Sequence, residues 1–374
     1  MENRTAAEEE FILVGFQIGW KAKILVSVGV SFAYILTLLG NVVILCIVCI
    51  QRCLHTPMYF FLCNLSVLDL CFASVTVPKM LQNLLSGDKT ITFAGCMAQS
   101  YFYFLMGTVE YFLLTSMSYD RYAAICNPLH YPTVMNGRVC AQMVLGCWLG
   151  GVLSVLFPTI LISRLPYCRS RVINHFFCDS GPLLELSCSD THIIELMDFL
   201  LSSVVILCSL SLTIISYAYI ISTILHIPTT TGQRKAFNTC ASHLTLFLMS
   251  SSISIFMYVV PSQKSMSEIR KIPAVLSSIV NPLLSPFIYT LRNDMVKKVF
   301  KETFIRIRGL IKRPESISNS PNQSGKDSES FGDTVWCFLG ITTAVNFEDG
   351  LEEEECCSFA DYLLALKCLS YVFS

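Results

Sequence analysis

Residues 118–131 read SYDRYAAICNPLHY. Upstream, Phe93–Met117 is apolar or small at almost every position, a run long enough to cross a bilayer. Asp120 and Arg121, with Tyr122 beside them, arrive together at its mouth. A charged pair at that depth is costly in hydrocarbon, so it reads by default as a functional site. Arginine stays charged in every state, so a neighbouring carboxylate can hold it in one conformation and release it in another. Asn127-Pro128 then stops the helix, because the residue before proline is pushed out of the α region. Alone, the triplet reads equally well as an arginine that snorkels to the interface, and its surroundings must decide.

Outward from that stretch the chain stays apolar. Its 374 residues are 53% hydrophobic and 14% charged, with a mean hydropathy of +0.58. Soluble domains carry roughly 25% charged residues, so a soluble multi-domain enzyme is excluded. A net charge of -1 and the lack of a basic stripe with interleaved aromatics leave no case for nucleic acid. Nearly charge-free windows give seven spans: Ile24–Ile50, Pro57–Leu81, Phe93–Tyr122, Val139–Ile162, Ile194–Leu225, Ala236–Val260 and Ile272–Leu291. The fold class is therefore an all-α membrane protein, a seven-transmembrane helix bundle over 24–291. The acidic start, Met1–Glu10, is no cleavable signal peptide, so the first span is expected to act as the targeting signal. Arg292, Lys297, Lys298, Lys301, Arg306 and Arg308 cluster after the last span, which favours a cytoplasmic C-terminus and an outer N-terminus, 1–23.

Within Asn293–Arg308, Met295, Val296, Val299, Phe300, Phe304 and Ile307 fall on one helical face and basic residues on the other. Residues 292–312 thus read as an amphipathic helix on the inner leaflet, with membrane lipids as its partner. A tail, 313–374, follows, opening with a Ser/Pro/Asn stretch expected to be disordered. Asn3-Arg4-Thr5 is a glycosylation sequon, useful only if the N-terminus faces the lumen.

Several constellations carry chemistry. Asp69 lies inside the second span, where an intramembrane carboxylate must face the bundle and find a partner. Asn41 on the first span, with Asn281 and Ser285 on the seventh, can complete a buried polar site for a cation or ordered waters. Glu110 is a second buried carboxylate, midway along the third span. The long loop Ser163–Ile193 carries Cys168, Cys178 and Cys188, while Cys96 opens the third span. Four cysteines allow three pairings, and spacing does not choose among them. His175, Cys178 and Asp179 have the flavour of metal ligands, but three residues on one loop make a poor site, and an oxidised cysteine is no thiolate ligand. No metal or cofactor is called for. Arg234, Lys235 and His243 are expected to put positive charge where the sixth span meets the cytoplasm. Pro282 and Pro286 each weaken the seventh helix, so that Tyr289 can swing towards Arg121 or Tyr217.

Taken in order over about Glu8 to Lys312, the sequon at Asn3, Gly40-Asn41, LHTPMYFFLCNLSVLDL (54–70), SYDRYAAICNPLHY, the three-cysteine loop, KAFNTCASHL (235–244) and SPFIYTLRN (285–293) resemble the vertebrate odorant receptors, a rhodopsin-like G-protein-coupled family. The resemblance implies pairs Cys96–Cys178 and Cys168–Cys188, and Arg121 engaging a stimulatory olfactory G protein that raises cyclic AMP. Tyr217 and Tyr289 would help to hold the active state. It also implies a ligand face of Phe104, Gly107, Thr108 and Tyr111 on the third span, opposite Ser202, Val205 and Ile206, completed by Ser254 and Tyr258. Helix–helix packing claims those residues equally. A mostly apolar cavity with a few hydroxyls suits small volatile organic molecules, and olfactory cilia are the implied location. This chain departs from the family at Ser285, usually Asn, at Met117-Ser118, usually Met-Ala, and at Ser250-Ser251-Ser252, usually an aromatic pair before glycine. The tail beyond Lys312 is expected to be foreign to the family.

Three competing readings fare worse. A transporter needs inverted repeats or paired broken helices, and an enzyme needs facing catalytic groups in register; neither is seen. Another rhodopsin-like receptor for a small non-cationic ligand is the nearest alternative. An amine receptor is disfavoured because Phe102, Tyr103 and Phe104 stand where an aspartate would be needed.

Overall fold

Local signals account for three of the long helix starts. Pro57 opens α2, Pro57–Leu85, at a position where its missing N–H costs nothing. The Thr92 hydroxyl accepts from the Gly95 N–H to cap α3, Phe93–Cys126. Asn136 accepts from the Val139 N–H at 3.0 Å to cap α5, Gly137–Ser163. A computed structural model describes residues 10–51, 54–168, 170–259 and 267–292. The sequon at Asn3, the amphipathic segment beyond Arg292 and the tail lie outside the described residues.

Among those residues the chain makes seven long helical runs. α1 (Trp20–Ile50), α2, α3 and α5 are followed by α7 (His192–Leu225). α8, Thr230–Ser254, continues into a π-helical turn, Ile255–Val259. The last run is α9 (Ser267–Val275), a second π turn (Leu276–Val280) and α10 (Asn281–Arg292). Short α4 (Tyr131–Val134) and α6 (Ser180–Leu184) sit in loops. Four complete helices, α1, α2, α5 and α7, and the stretch Lys271–Tyr289 are long and apolar enough to cross a membrane. His243–Val259 is a shorter apolar stretch. α3 matches the others in length, but Glu110, Asp120 and Arg121 dilute its apolarity.

These runs match the seven expected spans, with shifted ends. α1 begins at Trp20 rather than Ile24, and α3 continues to Cys126 rather than Tyr122. Hydropathy marks where chain can lie in lipid, whereas the helical ladder runs on until a breaker such as Asn127-Pro128 stops it. α2 is the hub: 78% of its apolar window is buried, against 17% for α7. α7 instead presents Val204, Leu207, Leu212, Ile214 and Ile215 outward, the surface expected of a helix whose surroundings are acyl chains.

Two glycines let helices approach closely. A Cβ on Gly151 of α5 would come within 2.6 Å of Val109 on α3, and one on Gly40 of α1 within 3.0 Å of Pro286 on α10. At the opposite end a three-stranded sheet forms a lid. β1 (Glu10–Leu13) pairs antiparallel with β2 (Thr90–Thr92) and parallel with β3 (Val172–Ile173). Phe11 and Leu13 are buried beneath it, so the segment before the first helix is partly built into the fold.

Candidate functional site: the bundle interior and its two mouths

At the end of α3, Asp120 is almost fully buried and Arg121 is partly buried. The Asp120 carboxylate accepts from Arg121 Nε at 2.7 Å and from Arg121 Nη2. Its other oxygen accepts from the Tyr131 hydroxyl at 2.8 Å. Asn127-Pro128 breaks α3, and α4 brings Tyr131 back under the helix. Burial first, and then the Asp120 carboxylate, push the Tyr131 phenol above its ordinary pKa. Sequence reasoning missed Tyr131 although it closes the opening stretch. Tyr122 turns away from the pair and meets Tyr219 of α7 edge-on, ring centroids 5.9 Å apart.

One layer deeper, the Tyr217 hydroxyl and His243 Nδ1 lie 2.7 Å apart, with rings stacked at 5.8 Å. Both residues are 3% exposed. The structure therefore corrects the placing of His243 at a charged cytoplasmic rim. α8 starts at Thr230, so His243 lies roughly 20 Å along it and packs inside. Lys235 lies near the start of α8, and its side chain is outside the described residues. Tyr289 is already buried in the bundle, its hydroxyl bonded to neither Tyr217 nor Arg121.

The middle layer gathers the polar residues. Asn41 Nδ2 donates to the Pro282 carbonyl at 3.2 Å, and Asp69 hydrogen-bonds Ser285. Asn41, Asp69 and Ser285 are thus brought together against α10. Asn41 Oδ1, Asp69 Oδ2 and Asn281 Oδ1 remain without a protein partner, the kind of site that ordered water satisfies. Glu110 accepts from the Ser250 hydroxyl at 3.0 Å.

The expected ligand face is only partly shared. Phe104 meets Tyr258 edge-on at 5.7 Å. Val205 and Ile206 join the same core across from α3. Tyr111 donates to the Ser250 carbonyl at 3.0 Å and so points at α8, close to Ser254. Gly107 departs from the expectation, since its open side faces Phe72 of α2, 3.9 Å from where a Cβ would sit. Thr108 and Ser202 are partly buried, with no contact that singles them out. Not placed on the ligand face by sequence reasoning were Tyr103, its ring tilted against Phe72 at 5.0 Å and Phe177 at 4.3 Å, and the loop aromatics that plug this end. Phe176 stacks on Phe16 at 5.6 Å.

Disulfides hold that plug. Cys96 joins Cys178 and Cys168 joins Cys188, with Cα–Cα distances of 5.4 and 5.9 Å. Cys178 Sγ is thus no metal ligand. Gln99 of α3 accepts from the Cys178 N–H and donates to the Val75 carbonyl, each at 3.0 Å. The fully buried Lys271 ammonium donates to the Gly15 carbonyl at 3.0 Å and to Asn174 Oδ1 at 2.9 Å. Beside it His175 is 3% exposed with no partner for either ring nitrogen. Burial, and secondarily Lys271, push its pKa down to about 3.

The family model for olfactory receptors matches residues 30–306. The chain belongs to the olfactory receptor family. Human olfactory receptor 6J1 is 58% identical over 330 residues, 88% of this chain and 95% of its own length. Human olfactory receptor 6T1 is 50% identical over 292 residues, 78% of this chain and 90% of its own. Mouse olfactory receptor 6E1 is 45% identical over 303 residues, 81% and 96% respectively. The receptor is therefore a multi-pass membrane protein of the seven-helix class and not an enzyme. The 6J1 match is longer than the 312 residues up to Lys312, so part of the tail expected to be foreign is shared with at least one relative.

Proposed function

We propose that the receptor binds small volatile organic ligands within the helix bundle and activates a stimulatory, olfactory-type heterotrimeric G protein, raising cyclic AMP. The observation that carries this reading is the Asp120 carboxylate, shared between Arg121 and Tyr131 at the end of α3. A buried carboxylate that holds a permanently charged guanidinium is a resting arrangement with a releasable cation. Binding favours the open arrangement only by the ligand's differential affinity for it. Phe104 and Tyr258, with Ser254 nearby, supply an apolar wall with few hydroxyls, which suits an uncharged ligand held by shape. The polar layer of Asn41, Asp69 and Ser285 lies between that wall and the Arg121 mouth, where it can hold waters or a cation and change with state.

On this reading the N-terminus and the disulfide plug face outside, the Arg121 mouth faces the cytoplasm, and the receptor works in the plasma membrane, in olfactory cilia. Asn3 then carries the glycan, and the segment 292–312 lies on the inner leaflet. Arg121→Ala is expected to abolish odorant-evoked cyclic AMP at unchanged surface delivery, read by a reporter assay with surface staining. Undiminished signalling would remove Arg121 from its role.

A further inference from the structure

One residue in the middle layer ties three helical runs at once. Ser250 of α8 is 5% exposed. Its hydroxyl donates to Glu110 Oε1 of α3 at 3.0 Å and accepts from Asn281 Nδ2 of α10 at 2.9 Å. Its carbonyl accepts from the Tyr111 hydroxyl, again on α3, at 3.0 Å. We propose that Ser250 is a positioning residue, a latch that keeps the middle of α8 against α3 and α10 while no ligand is bound.

The latch sits where the helices are weakest. Ser250 lies one turn before the π turn Ile255–Val259, and Asn281 follows directly on the π turn Leu276–Val280. π turns interrupt the regular ladder and are common where a helix must change shape. The Asp120 cluster ties α3 to α4, and the Tyr217–His243 contact ties α7 to α8. Neither holds α8 to α3, as the Ser250 hydrogen bonds do. Separating α8 from α3 strands Glu110 Oε1 without this donor, and a buried acceptor left unpaired carries its full desolvation cost. Alanine leaves the backbone carbonyl for Tyr111 and removes only the hydroxyl contacts, whereas threonine keeps them.

The inference rests on the signalling reading above only in its cyclic AMP arm. The first arm is hydrogen exchange on the purified, unliganded receptor, followed over residues 236–254. Ser250→Ala is expected to exchange faster there, Ser250→Thr to resemble the parent, and Ser252→Ala, on an outward-facing neighbour, to change nothing. The second arm is basal cyclic AMP normalised to surface receptor, expected to rise roughly threefold to tenfold in Ser250→Ala, the shift that one net hydrogen bond represents. Asn281→Ala removes the contact from the other side and is expected to act likewise, which covers poor folding of the first variant. Unchanged exchange in both Ser250→Ala and Asn281→Ala would overturn the latch. Faster exchange with unchanged cyclic AMP would support the latch and count against the coupling reading instead.

Discussion

Tyr131 and His175 have side chains whose worth depends on burial rather than on type. Tyr131→Phe keeps the ring and deletes the hydroxyl that donates to Asp120. A buried carboxylate then loses a donor in the resting arrangement, a loss worth about 1.5–3 kcal/mol for a charged acceptor. Basal cyclic AMP at matched surface density is expected to rise, and an unchanged basal level would show that Tyr131 does not restrain Arg121. For His175, the folded protein keeps the ring neutral down to about pH 3, while the unfolded chain takes up its proton near pH 6.5. The unfolded state therefore binds more protons between those values, and stability falls as pH drops below about 6.5. Thermal unfolding of the purified receptor at pH 7.5 and pH 5 should show this loss, and His175→Phe should flatten it. Neither role is legible from residue type. Tyr131 depends on the chain folding back after Pro128, and His175 on Phe176 and Phe177 closing over it.

Helices are where sequence reasoning works best here, because a nearly charge-free stretch of about 20 residues has few other fates. The prolines at 282 and 286 foretold a weakness in the last run, but the π turn before Asn281 and its counterpart after Ser254 left no mark in composition. Those turns arise where packing of one run against another overrides the regular ladder. The strand at Glu10–Leu13 was equally hidden, since its partners lie some 80 and 160 residues on, at Ile91 and Val172. Close approach was half legible: Gly40 stood out beside Asn41, whereas nothing in the sequence linked Gly151 to Val109. Gly151→Ala is expected to push α5 from α3 and cost about 1–3 kcal/mol, seen as a lower melting temperature. An unchanged melting temperature would mean that Val109 moves aside at no cost.

Among the described residues the two ends of the molecule are fastened unequally. Around the plug there are two disulfides, a three-stranded sheet and the Lys271 clasp; around Arg121 there are the Asp120 ion pair, hydrogen bonds and apolar contacts. Cys178→Ser is expected to strand the receptor inside the cell, because the loop aromatics lose the bond that seats them; normal surface delivery would argue against that role. Cutting the chain after Lys312 is expected to leave the odorant response intact, since the family match ends at residue 306 and the seven described helical runs lie before Lys312. A weakened response would give the tail a part in signalling.

Fastening at one end turns α8 into a lever. From the π turn that follows Ser254 to Thr230 the arm is roughly 37 Å long, so a swing of about 10° carries its tip about 6 Å. On the proposed reading, a ligand contact at Tyr258, inside the π turn about which that arm would pivot, has to shift only a fraction as far. A small displacement at the ligand wall would thus be enlarged several-fold at the far end of α8.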